Sequence, residues 1–315
     1  MGLPSIAESA KFLSDPRLQG RAPGTEGHQM AQAYLKDALE KLGFSPAEGS
    51  SWLHPVMVAG QEFGQNLVGV KPASGKSWIL VGAHYDHLYG IPGADDNAAA
   101  LSILLETARS LGEWEGRSEL VFAFFDLEEP PYFLTPAMGS VQFVERCPFP
   151  LDRLKCAIIL DLCGHDVPLP GHENALFVLG AEYSSALVQA VRRSEVEGNL
   201  SVFMTRNSRI GDQSDHHAFR KKGRPFLFLT CGWWEHYHRP TDTFERLNLA
   251  KMAQISKFLT RLILTLDGSQ VDIDLYPAFV SVEAEALSRL LGTRIPADPA
   301  AVDAAALRII RKLLY

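Results

Sequence analysis

The sequence lacks any stretch of about 18 uninterrupted apolar residues, the length a membrane-spanning helix requires, so no span is expected. Basic charge is not in surplus either: 30 Lys and Arg against 37 Asp and Glu leave a formal net charge of -7. That balance argues against a nucleic-acid partner, which calls for a basic face, and the pairs Arg192, Arg193 and Lys221, Lys222 read as solvated helix ends. Cysteine is scarce. Cys147, Cys156, Cys163 and Cys231 show no paired spacing, which speaks against a disulfide framework and suits buried thiols in a reducing, cytoplasmic setting. The opening MGLPSIAESAKFLSD has no basic start followed by an apolar stretch, so no signal peptide is visible, and Ile6 stands where a myristoylation signal needs Ser or Thr. Internal repeats and low-complexity stretches are also missing. What remains is 315 residues, 46% hydrophobic and 21% charged, enough for one α/β domain with an appendage.

Apolar runs alternate with helical patterns along most of the chain. Strands are expected at 77–83, 120–125, 156–162, 176–179 and 225–230, several of them apolar on consecutive residues, as strands covered on both faces must be. Helices are expected at 26–42, 97–111, 182–195 and 247–266. The alternation predicts an α/β fold with a mostly parallel sheet flanked by helices, in which ligands gather beyond the carboxyl ends of the strands. Residues 1–266 read as the catalytic domain and 267–315 as a C-terminal helical extension packed on it, with helical patterns at 281–291 and 303–314. The second pattern is amphipathic, which suits a helix docked on the domain or a homo-oligomer contact. Residues 130–139, PPYFLTPAMG, carry three prolines and read as a loop at the rim of a site.

The chemistry lies in an ordered set of imidazoles and carboxylates, each just beyond an apolar run: His84 and Asp86 in HYDH, Asp95 and Asp96 in GADDN, Glu128 and Glu129 in FFDLEEP, Asp161 in LDLCGH, and His238 in HYHRPTDT. Each fragment alone has an ordinary reading. Asp95 suits a helix N-cap, and Glu128 with Glu129 suits a solvated loop pair. Together they are the ligand types zinc accepts, and their number suggests two metals held close together. Asp86 is placed to accept a hydrogen bond from His84 and fix its tautomer; His87 suits a surface position or one behind the ligands. Asp96 is the candidate for a carboxylate shared by both metals. Adjacent glutamates repel unless a cation lies between them, which is resolved if Glu129 binds metal and Glu128 stays free as general base toward water. Asp161 ends an apolar strand, where an unpaired buried carboxylate is costly and ligation removes the cost. His165 and Asp166 read as loop residues. His238 is the expected ligand of its segment with His236 as rival, Asp242 falls at the expected start of a helix, and Asp215 is a candidate support behind the ligands.

The ordered segments HYDH, GADDN, FFDLEE, LDLCG, SDHHAF and HYHRPTDT, spanning 84–243, resemble metallopeptidase family 28, the co-catalytic zinc aminopeptidases; LQGRAPGTEGHQMAQAYL resembles that family's N-terminal helix region. The resemblance implies an α/β/α sandwich around a mixed sheet and two zinc ions per chain. Asp96 would bridge them, with His84 and Asp161 on one side and Glu129 and His238 on the other. Glu128 would be the general base of a two-metal activated water, Asp86 would orient His84, and Tyr237 matches a position where some members stabilise the oxyanion. The implied activity is hydrolysis of the N-terminal bond of peptides with a free amino end. Two departures stand out: Ala98, Ala99 and Ala100 follow GADDN where many members have Ser-Gly, and Gln213 stands where some carry an arginine. Glutaminyl cyclases, single-zinc transferases on the same scaffold, are similar in FFDLEE and from Gln213 to Phe219. A non-catalytic relative that has lost ligands is a third class, against which the full ligand set stands.

Overall fold

A computed structural model describes residues 4–47 and 49–314. Its strands are β1 (Ser45–Pro46), β2 (Leu53–Val58), β3 (Gln61–Lys71), β4 (Trp78–His84), β5 (Glu119–Phe125), β6 (Leu154–Leu160), β7 (Ala175–Leu179), β8 (Ser201–Thr205) and β9 (Phe226–Thr230). Its helices are α1 (Ile6–Leu13), α2 (Glu26–Lys41), α3 (Ala100–Leu111), α4 (Gly139–Glu145), α5 (Ser185–Arg193), α6 (His216–Lys221), α7 (Leu249–Asp267), α8 (Phe279–Leu291) and α9 (Pro299–Leu314).

The strands form one mixed sheet in the order β1-β3-β5-β4-β6-β9-β7-β8, with β2 paired to β3. Its centre, β5-β4-β6-β9, is parallel. There the apolar runs are continuous: every residue of β4 and β9 is buried, because helices cover both faces. Antiparallel pairing enters at β3–β5 and β7–β9, while the edge pair β7–β8 is parallel again, so the sheet is mixed. The helices α1, α2, α3, α5 and α7 lie on one face, where α3 packs on α7 and Tyr34 of α2 bonds to Ser9 of α1. On the other face, α4 and α6 bring Phe143 and Phe219 against Phe125. The α8–α9 pair packs over β8, with Val302, Ala305, Ala306 and Ile309 buried, which is the docked arrangement of the amphipathic C-terminal pattern.

The strands at 77–83, 120–125, 156–162, 176–179 and 225–230 thus appear within a residue or two of expectation. The β2–β3 hairpin and β8 have no counterpart in the reading of the sequence. Residues 61–71 mix Gln, Glu, Gly and Asn with apolar residues because the outer end of β3 is exposed, so no apolar run marks it. The helix expected from Asn97 begins later. Residues Ala94–Ala99 form a wide turn in which Asp96 (φ -108°, ψ 88°) and Asn97 are not helical, and α3 starts at Ala100. Likewise α7 begins at Leu249, seven residues beyond Asp242, whose carboxylate is engaged elsewhere.

Candidate metal centre

Four parallel strands end on one edge of the sheet, and the loops leaving them carry the acidic and imidazole groups. His84 is the last residue of β4, Glu128 and Glu129 follow β5, Asp161 follows β6, and His238 lies in the loop after β9. Three of these positions sit beside a non-glycine residue in the left-handed backbone region, or are one: Leu127 (φ 55°), Leu162 (φ 53°) and His238 (φ 55°). Such conformations cost free energy and persist where packing over-determines them, and they cluster at functional sites.

Asp96 stands at the middle. Its Oδ1 lies 3.2 Å from His84 Nε2, and its Oδ2 lies 3.2 Å from His238 Nε2. Asp161 Oδ1 is 3.5 Å and Glu128 Oε2 3.8 Å from His84 Nε2, while Glu129 Oε2 is 3.1 Å from His238 Nε2. Two sets of converging donors share Asp96: His84, Asp96, Asp161 on one side, and Asp96, Glu129, His238 with His87 on the other; a third, His84 with Glu128 and Glu129, lies between them. The atoms His84 Nε2, His238 Nε2 and Asp161 Oδ1 are buried yet have no hydrogen-bond partner in acceptable geometry, although each faces another polar atom. Lone pairs converging in this way are the donor set of a cation rather than of a protein hydrogen-bond network. Mixed imidazole and carboxylate donors fit zinc.

The protonation balance follows from this crowding. Burial lowers the His84 pKa, but Glu128, Asp161 and Asp96 outweigh it and hold it well above the ordinary value. Burial pushes Glu128 well above the usual carboxylate range, with Asp161 and Glu129 adding to the effect and His84 opposing it. Burial raises Asp161 as well. Asp96 and Glu129 go the other way: burial would raise both, but the imidazoles of His84, His87 and His238 pull Asp96 well down, and those of His87 and His238 pull Glu129 down. Environment thus separates Glu128 from its neighbour Glu129, which is how two adjacent carboxylates acquire different tasks. His238 is pushed up to about 10, because Asp96 and Glu129 overcome the effect of its burial.

Several residues take places that local sequence did not reveal. Asp86 does not orient His84 through its carboxylate: His84 Nδ1 faces the Asp86 main-chain carbonyl at 3.0 Å, and the carboxylate is 3.8 Å away. The Asp86 carboxylate instead accepts the amides of Glu128 and Glu129, at 3.1 Å each, and so fixes the loop that carries both glutamates. His87 is fully buried, which removes the surface alternative, and its Nδ1 lies 2.5 Å from Glu129 Oε1. Asp242 accepts the amides of Asp95 and Asp96 (2.9 and 3.2 Å) in place of capping a helix. Asp95 bonds to Gly164 N and His165 Nδ1, both at 2.6 Å, and His165 is buried against Trp234. Neither belongs to the ligand sets, and His236, bonded to Thr241, stays outside them too. Asp215 is buried at the start of α6, and burial raises it to about 7. Tyr237 stacks on His238 with ring centres 3.8 Å apart, and burial keeps its hydroxyl protonated.

Arg21, within the segment LQGRAPGTEG, has a role that the sequence does not reveal. It is fully buried and donates to five main-chain carbonyls, those of Leu13, Tyr85, Pro92, Gly93 and Asp96, at 2.5 to 3.1 Å. Burial lowers its pKa to about 10, with Asp96 and Asp242 opposing, so it keeps its charge beneath the acidic cluster. Only glycine fits at position 93 beside it: φ is 58°, and a Cβ would come within 2.3 Å of Asp96 O and 2.8 Å of Arg21 Nη2.

A family model described as Peptidase family M28 matches residues 66–263, which include every proposed ligand. Aminopeptidase YwaD of Bacillus subtilis is 28% identical over 214 residues, covering 63% of this chain and 44% of that protein. The protein YfbL of Escherichia coli is 29% identical over 280 residues, covering 79% of this chain and 84% of its own length. Among solved structures, the zinc aminopeptidase BSAP of Bacillus subtilis superposes with a TM-score of 0.67 at 17% identity, covering 87% of this chain and all (100%) of that one. The glutaminyl cyclase of Porphyromonas gingivalis gives a TM-score of 0.66 at 18% identity, covering 84% and 99%. At these identities the structural likeness is one of fold.

Proposed function

Starting from the fact that this chain belongs to peptidase family M28, we propose that it is a zinc-dependent aminopeptidase that hydrolyses the first peptide bond of peptides bearing a free amino end. The observation that carries the reading is Asp96, whose two oxygens each face a different imidazole at 3.2 Å and so divide the donors into two sets. On this reading His84 and Asp161 would hold one zinc ion, Glu129 and His238 a second, and Asp96 both. When bound, the ions would supply Lewis acidity toward the scissile carbonyl and an acidified water.

The chain's own residues supply the rest. Glu128 would accept the water proton as general base and pass it to the leaving amine, and burial, which raises its pKa, favours the return of that proton. Asp86 would hold Glu128 and Glu129 in register through their amides. The protonated Tyr237 hydroxyl would donate to the developing oxyanion. Asp215 would support the cluster from the α6 side, and the four free cysteines go with a cytoplasmic setting.

Mass spectrometry of free and N-acetylated peptides, incubated with zinc-loaded protein and with a chelator control, tests the reading. Stepwise loss of N-terminal residues from the free peptides alone is expected. A second reading, a glutaminyl cyclase, is supported by the equally good superposition on that fold. Loss of ammonia from Gln-initiated peptides without shortening would establish it, whereas two tightly bound zinc ions per chain would weigh against it.

A further inference from the structure

Beside Asp161 the site opens into a cavity of about 270 Å³ whose wall includes Leu162, Ile210, Phe228, Trp233, Tyr237 and Ile310. Five of these belong to the catalytic domain. Ile310 comes from α9, beyond the 66–263 segment that matches the family. A second void of about 80 Å³ lies behind shared wall residues, beneath α8 and α9; the two share Arg209, Ile210, Thr230, Gly232 and Ile310. Its far end is apolar, closed by Phe177, Met204, Leu287 and Leu290.

Among the described residues, the one cation in this wall is already engaged. Arg209 Nε and Nη2 donate to Glu283 at 2.8 and 3.0 Å, and Nη1 pairs with Asp303 of α9 at 2.7 Å. An acidic side chain entering the cavity would find no free guanidinium. A basic one would find only Asp161, at the mouth and in a ligand set. Either charge would be buried without a partner, which is strongly unfavourable. An apolar side chain loses no hydrogen bond on entry, and a cavity of about 270 Å³ has room for a large one.

We propose that α9, through Ile310, forms one wall of the pocket for the side chain of the substrate's N-terminal residue and so sets how large an apolar side chain that pocket admits. The proposal rests on the aminopeptidase reading above and makes the C-terminal extension part of the active site. The Arg209–Asp303 pair then acts as a positioning contact, holding α9 against the pocket.

Matched peptides beginning with Ala, Leu, Phe, Glu or Lys, followed for the wild type and for Ile310→Trp, Ile310→Ala and Leu307→Ala, test it. In the wild type, Leu should exceed Ala by at least about a hundredfold in kcat/KM, since a single methylene in an apolar pocket is worth about 10- to 200-fold. Ile310→Trp fills the pocket and should lower the Leu:Ala ratio by about tenfold or more. Ile310→Ala should raise the Phe:Leu ratio. Leu307, exposed on the same helix, should leave every ratio unmoved when changed to Ala. Competitive inhibition by free L-leucine should weaken in parallel for Ile310→Trp. If free peptides are cleaved but both Ile310 variants keep wild-type ratios, or if Glu or Lys is the preferred first residue, the pocket assignment is overturned while the aminopeptidase reading stands. If the wild type shortens none of the free peptides, the aminopeptidase reading fails and the pocket with it.

Discussion

Around Glu283, buried carboxylate and cation balance one another; around Asp96 they do not. Glu283 is fully buried but meets Arg209 at 2.8 Å, Arg206 at 3.0 Å and the Thr205 hydroxyl at 2.8 Å, and Asp303 takes up the remaining reach of Arg209. Burial alone would raise Glu283, yet Arg209 holds it below the ordinary value, so it is a satisfied anion. Around Asp96, by contrast, Asp86, Asp161, Glu128, Glu129 and Asp215 are also buried, facing three imidazoles and an arginine already committed to carbonyls. The two clusters border the same apolar pocket. A buried acid with its own arginine is architecture; buried acids in excess of their cations invite a cation from outside.

The comparison breaks most sharply at Glu128. Glu128→Gln should keep the metal content measured by elemental analysis and lower kcat about 10²- to 10⁴-fold, the range for a lost general base; a variant with near-wild-type turnover would remove Glu128 from that role. At the other cluster, Glu283→Gln should not change metal content but should destabilise the fold. The loss should fall near the low end of about 3–5 kcal/mol, the cost of breaking a buried pair, because its arginines keep some contact with water. Urea denaturation measures it. Next comes metal removal: a chelator should lower the unfolding free energy by about 3–4 kcal/mol per zinc site relative to protein at 100 to 1,000 times Kd of zinc, and the same treatment of a His238→Ala variant should do less. The pH trend sharpens the contrast further. Because the folded pKa of Glu283 is depressed, its contribution is complete above the unfolded value of 4.5 and is lost as pH falls through the folded value. The stability difference between wild type and Glu283→Gln should therefore shrink below pH 4.5. Smallest of all, Asp303→Asn removes a pair whose acid is 61% exposed and should cost about 0–1 kcal/mol.

How much of this was legible in the sequence depended on distance along the chain. His84, Glu129 and Asp161 lie at or just past strand ends, which apolar runs mark locally, whereas Asp96 and His238 sit further out in loops and are legible only through the acidic pair GADDN and the histidine-rich HYHRPTDT. The central strands were readable from the same apolar runs. What escaped were contacts made across the fold. Arg21 reaches Asp96 O over 75 residues, and Asp242 reaches the Asp95 amide over 147. No periodicity encodes either. Asp86 shows the same limit at short range: its spacing from His84 suggested a carboxylate–imidazole bond, but the carboxylate turns to the amides of Glu128 and Glu129, 42 and 43 residues on. His87 was undervalued because its importance depends on where Glu129 arrives.

Arg21 also bears on how the chain can be divided. Its guanidinium joins the end of α1, the loop after β4 and the turn bearing Asp96, and it enters from a segment that precedes residue 66, where the family match begins. A fragment trimmed to that match would keep every proposed ligand yet leave four carbonyls around the Asp96 turn without their shared donor. The folded unit around the proposed ligands is therefore larger than the segment the family model matches, and it includes an arginine buried beneath the acidic cluster.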